Sequence, residues 1–270
     1  MERNKLGAVN RLFKDGFTLL ALPLAGVAVS LWLKTPYLAS IFLFYGLPGA
    51  YITVASLQWW QAVKGAIFAA IVSLPLTAIM DFIGTSRDVW YVPQTIFPTR
   101  FLGVIPWEDF VWLFAATYTI VVLFQAYLDK GKREIINPRM WYFAFVASLL
   151  LVLFFSALAF GEEAMLSTQG RYAYLWLGAV FVGLPAGLYL GLFPQTAKRS
   201  TPLIAYFFYV TFLFELTAAL LRQWTFPGAY LLAPVLFLGH PIPYEEFVFV
   251  GVGGPMAAMM FYKLCDDEWE

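Results

Sequence analysis

Eight stretches of this chain are apolar and long enough to cross a bilayer as helices, near residues 17–33, 38–56, 62–83, 108–128, 140–160, 174–193, 202–221 and 244–263. Each approaches the ~20 residues an α-helix needs to span a hydrocarbon core of about 30 Å. In lipid no water is present to pair with backbone N–H and C=O groups, so each crossing must satisfy its own, and a helix does this within one segment. Composition agrees. Of 270 residues, 61% are hydrophobic and only 13% charged, against about 25% charged in soluble domains. The chain therefore reads as an all-α, polytopic membrane bundle of about eight helices.

The charges orient the bundle. With the N-terminus in the cytoplasm, twelve basic residues fall on that side: Arg3, Lys5, Arg11, Lys14, Lys64, Lys130, Lys132, Arg133, Arg139, Lys198, Arg199 and Lys263. Five fall opposite: Lys34, Arg87, Arg100, Arg171 and Arg222. This positive-inside bias predicts an even number of crossings and both termini in the cytoplasm of a cell with the chain in its plasma membrane. The basic N-terminal segment carries no small-residue cleavage site and reads as a retained anchor. A net charge of zero removes the global basic field that nucleic-acid partners require. Cys265 is the only cysteine, so neither a disulfide framework nor a cysteine metal site can form within one chain. Without histidine or cysteine clusters no transition-metal site is expected.

The sequence repeats itself. Gly46-Leu47-Pro48 and Gly183-Leu184-Pro185 lie 137 residues apart, each inside the second helix of its half. Pro106-Trp107-Glu108-Asp109-Phe110 and Pro243-Tyr244-Glu245-Glu246-Phe247 share that offset and open the fourth helix of each half. Between these anchors, Asp81 and Trp90 match Glu215 and Trp224, each pair nine residues apart. Several matches in order imply two four-helix repeats, 1–135 and 136–270. An even helix count per repeat makes the copies parallel, related by an axis along the membrane normal.

Carboxyl groups in or at the rim of a membrane cost a few kcal/mol each. Asp81, Glu108, Asp109, Glu215, Glu245 and Glu246 nevertheless recur at matched positions, and the topology brings all six to the outer end of the bundle. An acidic pair after proline also suits the first turn of a helix. Capping alone does not call for the rings that surround these acids: Trp90, Tyr91, Trp107, Phe110, Trp112 and Phe114, then Trp224, Phe226, Tyr230, Tyr244, Phe247 and Phe249. Such rings can form an interfacial belt. They can also build a dry cavity whose π-faces stabilise a carbocation, with a desolvated carboxylic acid as proton donor. Arg87 and Arg222 are candidates to pair with and orient the acids, or to snorkel to the surface. His240, in Gly239-His240-Pro241, is either a turn residue or a proton shuttle beside Glu245. Gly251-Val252-Gly253-Gly254 lies in an apolar span with no preceding strand, so it reads as helix packing, not a dinucleotide loop.

The two P-x-E-[ED]-x-x-[FW] motifs, Pro106 to Trp112 and Pro243 to Phe249, resemble those of the membrane-integral lycopene cyclases of actinobacteria, archaea and fungi. Their two related modules occur there as separate subunits or fused. The likeness spans essentially the whole chain, which departs from the family in carrying Trp107 and Tyr244 where a small aliphatic residue is usual. It implies a redox-neutral, flavin-independent cyclisation of a linear carotenoid drawn from the bilayer, with no cofactor and room for a homo-oligomer. An acid protonates the terminal double bond, the neighbouring alkene attacks the cation, and loss of a proton leaves a β-ionone-type ring. On this resemblance Glu108 and Glu245 are the principal carboxyls and Asp109 and Glu246 their partners. Asp81 and Glu215 would relay protons, and Trp90, Trp107, Phe110, Trp224, Tyr244 and Phe247 would face the cation. Three rivals stand beside it: a carotenoid hydratase or other prenyl-chain enzyme in which water traps the same cation, an intramembrane protease, and a small proton- or cation-coupled transporter with a continuous water path. Loops 84–105 and 222–242 are expected to fold back over the site.

Overall fold

The computed structural model describes residues 2–128, 138–161, 172–228 and 234–265. The chain is an all-α membrane bundle with eight helical spans long and apolar enough to cross a bilayer. The first is α1 (Glu2–Leu33). The second joins α2 (Tyr37–Ile41), a π-helical segment (Phe42–Gly46) and α3 (Leu47–Ser56). The third and fourth are α4 (Trp59–Ser86) and α5 (Trp107–Tyr127). The fifth is α6 (Pro138–Ala159). The sixth joins α7 (Ala173–Gly178), a π-helical segment (Ala179–Gly183) and α8 (Leu184–Leu192). The seventh is α9 (Pro194–Leu221), and the eighth begins as a π-helical segment (Glu246–Gly253) and continues as α10 (Gly254–Cys265).

Most boundaries fall within a few residues of the expected spans. The first and seventh differ: α1 starts at Glu2, well before the expected 17, and α9 starts at Pro194, whereas Lys198, Arg199 and Pro202 suggest a later beginning. Pro202 sits only a few turns inside the helix, where neighbouring groups can take over its missing donor. The π segments in the second and sixth spans occupy corresponding positions, immediately before the Leu47-Pro48 and Leu184-Pro185 pairs. A proline two residues into the following helix removes an N–H donor and so loosens the preceding turn to a wider one.

The two halves interlock. The outermost helix of each half packs on the third span of the other, α1 against α9 and α6 against α4. Two contacts join residues that stand at matched positions of the sequence repeat. At the end holding the acids, Tyr91 and Thr225 exchange both backbone hydrogen bonds at 2.8 Å. At the other end, Gln125 Nε2 donates to the Tyr262 hydroxyl at 2.7 Å. The repeat boundary near 135 and the basic residues Lys130, Lys132, Arg133 and Arg171 lie outside the described residues.

Each acidic pair is preceded by a small hairpin, β1 (Arg100–Phe101) with β2 (Ile105–Pro106), and β3 (Val235–Phe237) with β4 (His240–Ile242). Leu102-Gly103 and Leu238-Gly239 turn the chain with positive φ, 50° and 77° in the first and 50° and 84° in the second. His240 opens β4 directly after this turn.

Candidate functional site

The sequence predicts that the acids converge, and four of them do. Asp81, Asp109, Glu215 and Glu246 line one cavity of about 660 Å³ of empty space, part of it continuous with the outside, together with Tyr37, Trp90, Trp112, Tyr174, Trp224 and Phe249. All four carboxyls are buried.

The four are held as two related sets. In the second half Tyr174 donates to Glu246, Trp224 Nε1 donates to Glu215 Oε2 at 3.1 Å, and Glu215 and Glu246 are within hydrogen-bonding reach of each other. In the first half the same residue types recur: Tyr37, Trp90, Asp81 and Asp109 line the same cavity. Helix geometry explains the placement. The acids on α4 and α9 lie in the last turns of those helices, whereas Asp109 and Glu246 lie in the first turn of spans running back down.

The halves differ in their cations. Arg100 donates to Val104 O at 3.0 Å and Val92 O at 2.5 Å, lies with its guanidinium 5.2 Å from the centre of the Tyr91 ring, and acts on Asp109. In the matching Phe-Leu-Gly hairpin of the second half this position is Leu236.

Other candidate residues are placed differently. Glu108 is buried but does not line the cavity; its Oε1 accepts from the backbone of Ile96 at 2.5 Å and of Phe97 at 3.5 Å. It therefore fastens loop 87–106 over the site, and adjacent residues of a helix point about 100° apart, so only one member of the pair can face inward. Glu245, in the matching position, is buried and likewise absent from the cavity lining. Trp90 and Trp224 line the cavity as expected. Trp107, Phe110, Tyr244 and Phe247 do not: Trp107 and Tyr244 are exposed, Phe110 packs on Phe101, and Phe247 packs on Phe208, Phe212 and Phe237. These rings belong to the surface and the hairpin platforms. Arg87 and Arg222 are exposed, and among the described residues neither has a recorded bond to a carboxyl. They are not equivalent either. Arg222 takes the position of Asp88, and both adopt a φ of 54° as the chain leaves its helix. His240 stands outside the cavity. Tyr230 lies outside the described residues, as do residues 229–233 of the second loop expected to fold over the site.

Tyr37 and Tyr174 are absent from the sequence-based set. Each opens its span in front of the Gly-Leu-Pro motif at the same 137-residue offset, so the repeat contains the signal.

No family model, curated protein or solved structure matches this chain.

Proposed function

We propose that this chain is a carotenoid-biosynthetic isomerase that closes a ring at the end of a linear, lycopene-like carotenoid by acid catalysis. The observation that carries the reading is the set of buried carboxyls, Asp81, Asp109, Glu215 and Glu246, in a cavity walled by Trp90, Trp112, Trp224 and Phe249. A proton donor among aromatic faces and away from bulk water is what protonation of an unactivated alkene needs, since the rings stabilise the tertiary cation without trapping it.

In this mechanism Glu246, oriented by Tyr174 and sharing a proton with Glu215, protonates the terminal double bond. The π electrons of the next double bond form the new ring bond and move the cation into the ring. Asp109 or Asp81 removes a ring proton, and its C–H electrons become the ring alkene. One proton enters and one leaves, so substrate and product share a formula and no oxidant or reductant is consumed. Glu108 holds the loop that precedes α5 in place of reacting. The sequence resemblance to the membrane-integral lycopene cyclases supports the same chemistry and, with the distribution of basic residues, a plasma-membrane location with both termini in the cytoplasm. The core beneath the cavity is filled by Phe44, Tyr45, Phe68, Phe124 and Phe214, all buried, which favours a closed reaction chamber over a water path across the bundle.

The test is pigment analysis of lycopene-accumulating cells expressing this chain or its Glu246→Gln variant at equal level. A cyclised carotene isomeric with lycopene that disappears in the variant supports the reading. A product heavier by one water makes the enzyme a hydratase, and unchanged lycopene with well-folded protein overturns the proposal.

A further inference from the structure

The two flanks of the cavity are related by the pseudo-twofold axis, yet they are built from residues of different size. Around Tyr37 the wall is solid. Ile41, Tyr45 and Phe214 are 0%, 1% and 0% exposed, and Phe214 packs on Phe44, Tyr45 and Trp224 with ring centres 5.4, 5.1 and 4.8 Å apart. Around Tyr174 the corresponding positions are Gly178, Val182 and Met80. There the wall is thin: Val182 and Met80 are partly exposed, and all three line the cavity, whereas Ile41, Tyr45 and Phe214 do not. At Gly178 a side chain is excluded, because an added Cβ would fall within the Phe249 ring that lies against it.

On the reading of the cavity as a polyisoprenoid site, we infer that the substrate enters and its long tail leaves through a single portal beside Gly178, Val182 and Met80, while the matching flank is a permanent plug. The portal sits where the α7–α8 span, α4 and the last span meet, next to the exposed Val180, Leu184 and Val248. An apolar chain emerging there passes directly into lipid with no polar group to desolvate. A carotenoid is far longer than the cavity, so one end group occupies the chamber at a time and the remainder lies in the portal. Rings at both ends would require release and re-entry in reverse, and the one-ring product would accumulate first. The aromatic plug also fixes the orientation of the end group, with the Glu215–Glu246 proton and the portal on fixed sides of the chain.

The experiment rebuilds the plug on the open side. Protein in lipid nanodiscs is given lycopene and, separately, a geranylgeranyl chain bearing a terminal benzophenone. Val182→Tyr and Met80→Phe each copy the residue of the closed flank, and Leu188→Tyr adds the same bulk at an exposed position of α8. Expected are a loss of at least tenfold in kcat/KM for the first two, little change in the third, and photolabel on peptides containing Gly178–Val182. Wild-type turnover in both plug variants, or label on Ile41–Tyr45 instead, overturns the portal. Should Val182→Tyr fail to give monodisperse protein, Met80→Phe and the photolabel decide. Label at Gly178–Val182 with no cyclised product from the wild type leaves the portal standing and removes the cyclase reading, so the two claims fail separately.

Discussion

Replacing Tyr174 with phenylalanine isolates one hydroxyl. The side chain is buried, its ring lies 5.4 Å from Trp90 and 6.4 Å from Phe249, and phenylalanine preserves both contacts. What is lost is the donor to Glu246. A hydrogen bond to a buried acidic group is worth about 1–3 kcal/mol. Expressed fully in the barrier, that is a fall in kcat of roughly 5- to 150-fold, at about 1.4 kcal/mol per factor of ten. Because the ring keeps its shape, KM should move by less than about twofold, the pattern of a contact used in the transition state more than in binding. The assay is the initial rate of ring formation from lycopene by protein in nanodiscs, with the unfolding temperature measured alongside. Tyr37→Phe is the internal comparison, since Tyr37 occupies the same place beside Asp109. If Tyr174→Phe turns over at the wild-type rate while Tyr37→Phe abolishes product, the proton donor belongs to the first half and the assignment of roles is wrong.

Glu108→Gln keeps an oxygen for the Ile96 and Phe97 amides and should retain turnover within about tenfold, whereas Asp109→Asn should abolish it; both rest on which carboxyl reaches the cavity. Glu108→Ala should speed amide exchange across residues 93–99, and unchanged exchange there would show that the carboxyl does not hold the loop. Arg100→Leu, copying Leu236, should lower both turnover and the unfolding temperature through the loss of two carbonyl contacts. Arg100→Lys should not restore them, because one ammonium cannot reproduce the fork; full rescue by lysine would leave only charge at work. A double-mutant cycle on Gln125→Leu and Tyr262→Phe should give a coupling of about 1 kcal/mol in unfolding free energy, and strict additivity would remove the axial hydrogen bond as a link between halves.

The membrane spans are legible in the sequence because lipid imposes length and apolarity on every crossing, and the two halves keep the same motifs at nearly the same spacing. The acids are legible as a set for the same reason. Their division of labour is not: Glu108 and Asp109 are neighbours of like charge, and only the rotation of the first helical turn decides which faces the cavity and which the loop. Tyr37 and Tyr174 escape notice because a tyrosine at the end of a span is ordinary in a membrane protein. Carrying the repeat offset back from Gly-Leu-Pro would have found them. Aromatic content alone overstates the site, since Trp107, Tyr244 and Phe247 serve hairpins and surface. The start of α9 is hidden by Pro202 and by two basic residues that the helix carries in its first turns.

The exchange of outer helices between halves has a consequence for the order in which the protein is made. When α4 enters the membrane, the helix that will pack on it, α6, has not yet been synthesised, and neither has α7, which carries the tyrosine nearest Trp90. The first four spans thus wait in the bilayer with half a chamber open to lipid, and Asp81 faces a wall not yet there. The last span delivers Glu246, so the four cavity carboxyls come together only when that helix inserts. A truncated or stalled chain that lacks this last span carries no finished chamber.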